Sequence, residues 1–95
     1  MDEFKLRIYS ILNELPTGEI ISYGELAKRA GHKNYARQVG RILKELPKDT
    51  ELPWFRVVNS KKEISFLIDS SAYLRQKEQL ENEGWHIIGK KVKPS

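Results

Sequence analysis

Cysteine is missing from this 95-residue sequence, and that absence excludes more chemistry than any residue present. There can be no disulfide, no thiolate nucleophile and no thiolate metal site. Histidine is scarce too: His32 and His86 are too few and too far apart in the chain for a zinc centre, and neither a metal nor another cofactor is expected. No apolar run approaches the ~20 residues that a membrane span needs. Met1-Asp2-Glu3-Phe4-Lys5 lacks the charged-then-apolar order of a secretion signal. These absences read as a soluble protein of the cytoplasm.

What is present fits a single domain over residues 1–95, since 39% hydrophobic and 32% charged residues can close one modest core. Seventeen Lys and Arg against thirteen Asp and Glu leave a net charge of +4. Such a charge attracts a polyanion only when it gathers on one face, so placement decides.

Phe4, Ile8, Ile11, Leu12 and Leu15 recur at helical spacing and predict a first helix over residues 2–15. Leu15-Pro16-Thr17-Gly18 ends it, and Glu19-Ile20-Ile21 reads as a short connector or strand. Ser22-Tyr23-Gly24-Glu25 has the form of a capping box before Leu26, Ala27 and Ala30, with Gly31 closing a short second helix. A third helix follows to about Leu46. Its core stripe is Val39, Ile42, Leu43 and Leu46, while Arg37, Arg41 and Lys44 line the solvent face, and Ala36 and Gly40 leave a strip open to close approach. Two helices joined by a turn of about four residues, the second one basic, are the pattern of a helix-turn-helix.

Beyond the loop Pro47–Pro53, the run Arg56-Val57-Val58 is expected to pair with Glu63–Leu67 through a turn at Asn59–Lys62, making a wing. Ser70 or Asp69 can cap a fourth helix bearing Ala72, Tyr73, Leu74 and Leu80 and ending at Glu83-Gly84. Trp85–Ile88 reads as a terminal strand or core segment, and Lys90, Lys91 and Lys93 as a frayed basic tail. The fold class is therefore α/β, mostly α: a winged-helix-like domain with a helix-turn-helix and a short β-hairpin.

Leu15-Pro16-Thr17-Gly18, Ser22-Tyr23-Gly24, Ala36-Arg37-Gln38-Val39-Gly40, Pro53-Trp54-Phe55-Arg56-Val57-Val58 and Glu83-Gly84, in that order, resemble the DNA-binding domain of O6-alkylguanine-DNA alkyltransferases. That family has Pro-Cys-His-Arg-Val where this chain has Pro53-Trp54-Phe55-Arg56-Val57. Tryptophan at the cysteine position marks the alkyltransferase-like proteins, which are described as binding O6-alkylguanine without repairing it and directing it to nucleotide excision repair. The chemistry agrees with that subfamily. Alkyl transfer needs a thiolate and a base to activate it; indole supplies no thiolate, and Phe55 can neither take up nor relay a proton.

The resemblance implies a DNA-binding set of Tyr23, Ala36, Arg37, Gln38, Gly40, Arg41 and Lys44, and a lesion pocket of Tyr23, Trp54, Phe55, Arg56, Val57 and Leu67. No residue is assigned a catalytic role. Tyr23 would crowd the phosphate and hold the rotated nucleotide, Arg37 would fill the vacated stack, and Trp54 would meet the extruded base. Arg56 reads as structural, pairing with an unspecified carboxylate or loop carbonyls, and Glu83, left with nothing to orient, as a cap or pairing group near the end of the fourth helix. The partners implied are duplex DNA containing O6-alkylguanine and nucleotide excision repair proteins, met by a monomer that is associated with the nucleoid if the source is bacterial. Leu46 stands where that family often has asparagine, and Phe66, Leu67 and Ile68 replace a Gly/Tyr-rich pocket wall, which predicts tolerance of bulkier O6 substituents. The rival reading is a winged-helix regulator without lesion preference. An enzyme using Ser60, Ser65 or Glu83 is a weaker one, because no general base adjoins any of them in sequence.

Overall fold

In the computed structural model, which describes residues 2–94 and so leaves Met1 and Ser95 at the ends of the expected domain outside the described residues, the first apolar stripe folds as α1 (Asp2–Glu14). The chain forms two compact units, Met1–Leu15 with Tyr23–Trp54 and Pro16–Ser22 with Phe55–Ser95. The first unit is helical. It contains α1, α2 (Tyr23–Arg29) and α3 (Ala36–Lys44), and its core is Phe4, Ile8, Leu12 and Leu15 of the first stripe against Leu26, Ala27, Ala30, Val39 and Ile42. α2 begins directly after Ser22, and Gly31 closes it at φ +95°, a conformation that an L side chain resists.

The turn between α2 and α3 is built from side chains as well as backbone. The His32 amide donates to the Ala27 carbonyl at 3.0 Å. The His32 ring stacks on Tyr35 at 4.6 Å, and Phe4 meets both rings edge-on. Arg7 on α1 donates through Nη1 to the Ala30 carbonyl at 3.2 Å. α3 is shorter than its sequence stripe: it stops at Lys44, with Glu45 as its cap, so Leu46 lies past the helix and, like Leu43 and Ile11, is half-buried.

The second unit is mixed. β1 (Ile21–Ser22) runs parallel to β2 (Val57–Val58), pairing Ile21 with Val57 and Ser22 with Val58. α4 (Ser71–Asn82) is capped by the Ser70 hydroxyl, which accepts the Tyr73 amide at 3.2 Å. β3 (Trp85–Ile88) and β4 (Lys91–Pro94) form an antiparallel hairpin. The core here is Val58, Ile64, Tyr73, Leu80, Ile87 and Val92, with Phe55, Phe66 and Trp85 packed against it. Among the described residues there are four α-helices and four short strands, an α/β fold rich in helix, and no helix is long and apolar enough to cross a membrane.

Three expectations are corrected in this unit. The hairpin is not made by Arg56–Val58 with Glu63–Leu67: β2 takes β1 as its partner, and among residues 63–67 only Glu63 makes a bridge, to Lys91. The Asn59 side chain is the physical reason, because its Oδ1 accepts the amides of Lys61 and Glu63 at 2.9 Å and curls the chain into a tight turn. The hairpin lies instead at Trp85–Pro94, so of the lysines read as a frayed tail Lys91 and Lys93 belong to β4 and Lys90 to the turn before it. On α4, Leu74 is 51% exposed, and the inward stripe is Tyr73, Gln76 and Leu80.

Candidate nucleic-acid interface

α3 turns its charge outward. Arg37, Arg41 and Lys44 are exposed, while Val39 and Ile42 fill the core of the helical unit and Ala36, Gln38 and Gly40 lie half-buried between the two faces. No acidic side chain occupies the first turn of this helix. Tyr23, the first residue of α2, lies over the strip left by the small residues: a Cβ built on Gly40 would stand 4.0 Å from Tyr23 Cε1. The helix-turn-helix packing thus brings Tyr23 to the same helix that carries Arg37 and Arg41.

That spacing allows a test. Gly40→Ala would put its methyl at an ordinary van der Waals distance from Tyr23 and remove a helix-interior glycine, so folding stability should rise by roughly 0.5–1 kcal/mol. A strip used for DNA would be obstructed by the same methyl. The expected result is a higher melting temperature with weaker duplex binding; unchanged binding would assign this strip to solvent.

The segment carrying the replaced nucleophile is a single 3-10 turn, Trp54–Arg56, followed by the two residues of β2. Of the run Arg56–Val58 expected as a strand, Val57 and Val58 form β2 and Arg56 ends the turn. Gln76 Nε2 on α4 donates to the carbonyls of Phe55 at 2.9 Å and Val57 at 3.0 Å, which ties the turn and β2 to that helix. Trp54 is half-buried, as is Phe55, whereas Val57 is fully enclosed. Phe55, at the position of the family's activating base, packs on the core of the mixed unit, with the Arg56 guanidinium 5.4 Å from its ring centre.

Arg56 has the structural role read from the sequence. It is 8% exposed and donates through Nε and Nη2 to both Glu83 carboxylate oxygens at 2.6–3.2 Å, with Nη2 also 3.3 Å from Thr17 Oγ1. Glu83 in turn accepts the Gly18 amide at 3.1 Å, and the Gly18 carbonyl accepts Trp85 Nε1 at 3.1 Å. Burial pushes the Glu83 carboxyl up, but the Arg56 hydrogen bond, the Gly18 amide and the Arg56 charge outweigh it and hold the group below its ordinary value. This network ties Arg56, and the strand β2 that follows it, to the end of α4 and to the loop Pro16–Glu19.

Leu67 and Ile68, the expected apolar wall, are 78% and 52% exposed, while Phe66 is partly buried against the core. Sequence reading missed Gln76 and the link from Trp85 to Gly18. The signal for Gln76 was present: it falls between Tyr73 and Leu80 at the helical spacing of a core stripe.

Residues 3–85 match the family model described as 6-O-methylguanine DNA methyltransferase, DNA binding domain. The chain is 45% identical over 92 residues to a Vibrio parahaemolyticus DNA base-flipping protein, covering 95% of this chain and 90% of that protein. It is 45% identical over 87 residues to alkyltransferase-like protein 1 of Schizosaccharomyces pombe, covering 92% and 81%. The crystal structure of S. pombe Atl1 in complex with damaged DNA containing O6-carboxymethylguanine superposes with a TM-score of 0.88 at 41% identity, over 100% of this chain and 91% of that one. The cysteine-free chain, with its basic α3 and its indole at the acceptor position, belongs to the family of 6-O-methylguanine DNA methyltransferase DNA-binding domains.

Proposed function

We propose that this protein recognises O6-alkylguanine in duplex DNA by holding the lesion flipped out of the stack, leaves the alkyl group in place, and marks the site for nucleotide excision repair. One observation carries the reading: in a family whose reaction needs a cysteine, the acceptor position is a half-buried tryptophan, and the sequence contains no cysteine to replace it. Relatives over 40% identical to this chain across the aligned residues are named for base flipping and for likeness to alkyltransferases, and one is solved on O6-carboxymethylguanine DNA.

Each group then has a task. Arg41 and Lys44 neutralise phosphates along α3. Tyr23 supports the rotated nucleotide, and Arg37, exposed on the same helix, enters the vacated stack, offsetting an extrusion that costs a few kcal/mol. Ala36, Gln38 and Gly40 supply the low-relief surface between them. Trp54 stacks on the extruded base and Leu67 offers apolar surface to an alkyl group, while Arg56, Val57 and Phe55 act at one remove by fixing the turn that bears Trp54.

The test is competition between matched duplexes with and without O6-methylguanine. A preference for the lesion of about 5- to 150-fold is expected from 1–3 kcal/mol of base–aromatic stacking, with no label transferred from a radiolabelled methyl group. Equal affinity for both duplexes would leave a DNA-binding regulator without lesion preference.

A further inference from the structure

The lysines at the end of the mixed unit converge. Ile64 donates its amide to the Lys90 carbonyl at 2.8 Å and Val92 donates to the Lys62 carbonyl at 3.0 Å, so the Asn59–Glu63 turn is tied to the β3–β4 hairpin at the bridge between Glu63 and Lys91. This brings Lys61 and Lys62 beside Lys90, Lys91 and Lys93. In the hairpin, Ile87 and Val92 face the core, whereas the opposite face carries exposed His86, Ile88, Lys91 and Lys93, with His86 across from Lys93 and Ile88 across from Lys91. Residues 59–63 and 84–94 together carry five lysines and one acid, Glu63, whose carboxylate lies 3.3 Å from Lys91 Nζ. Residues 84–95 contain three lysines and no Asp or Glu.

We propose that this lysine cluster, formed by the Asn59–Glu63 turn and the β3–β4 hairpin, is a second surface for duplex DNA, contacting backbone phosphates in addition to those met by the basic residues of α3. Lysine heads on flexible stems act as point charges that suit phosphate and do not read base edges. The contact therefore contributes equally to damaged and undamaged duplexes. It rests on duplex binding alone and not on lesion recognition.

Lys61→Gln with Lys93→Gln tests it, both sites being exposed. Salt dependence of binding is measured on an undamaged duplex and on the same duplex with O6-methylguanine. Each phosphate neutralised contributes about −0.9 to the slope of log K against log salt, so the double variant should be shallower by about one to two on both duplexes, with its melting temperature and its lesion preference unchanged. The control, Lys5→Gln with Lys77→Gln, removes the same charge from α1 and α4. A slope loss no greater than in the control would overturn the proposal. Absence of lesion preference in the unmodified protein would overturn the recognition reading while leaving the slope comparison intact.

Discussion

Arg56→Ala is expected to destabilise the protein by about 3–5 kcal/mol, because it leaves the Glu83 carboxylate nearly buried and stripped of its main partner. That is a large share of the 5–15 kcal/mol typical of small domains. Urea unfolding checks it, and Glu83→Ala should cost a similar amount through the stranded guanidinium. Replacing both residues with apolar ones of similar volume should cost far less than the two single losses added together, since neither charge is then orphaned. The pair also sets the acid limit. The folded-state carboxyl is held below its ordinary value, so its stabilisation is complete above the unfolded value near 4.3 and is lost as pH falls through the lower folded value. Between neutrality and that region the unmodified protein should hold its stability, and below it the gap between the unmodified protein and Arg56→Ala should narrow. A gap independent of pH would show that Glu83 does not titrate with folding.

Trp54→Ala is expected to remove most of the lesion preference, roughly 5- to 150-fold, while affinity for undamaged duplex changes little. Folding is measured separately. Deleting a fully buried aromatic costs about 3–5 kcal/mol, but Trp54 is only half-buried on a short 3-10 turn, so its loss should fall well below that range. Trp54→Phe keeps an aromatic face and should retain part of the preference. Destabilisation of core size together with equal weakening on both duplexes would make Trp54 an ordinary packing residue and end the recognition reading.

The helical unit was legible in the sequence because its information is local. The stripe from Phe4 to Leu15, the glycine at the end of α2, and the alternation of Val39 and Ile42 with Arg37 and Arg41 are each set within two or three helical turns. The replaced nucleophile was legible as well, since it depends on residue identity. The mixed unit was read less well. Its strands are two to four residues long, too short for alternation to declare itself, and β1 finds its partner in Val57 and Val58 across the whole helix-turn-helix. The wing was misplaced because Asn59 bends the chain through its side chain, and although Arg56 was legible as a pairing residue, neither Glu83 as its partner nor the network reaching Thr17, Gly18 and, through it, Trp85 was.

The parallel pairing of Ile21–Ser22 with Val57–Val58 has a consequence during synthesis. The ribosome delivers the first of these strands early, yet Leu80, Ile87 and Val92, which complete the surrounding core, emerge up to about seventy residues later. At elongation speeds of about 5–20 residues per second, that is a wait of roughly 4–14 s. Throughout it a nascent chain holds Ile20 without the core that will enclose it, while α2 and α3 are translated in full well before it ends.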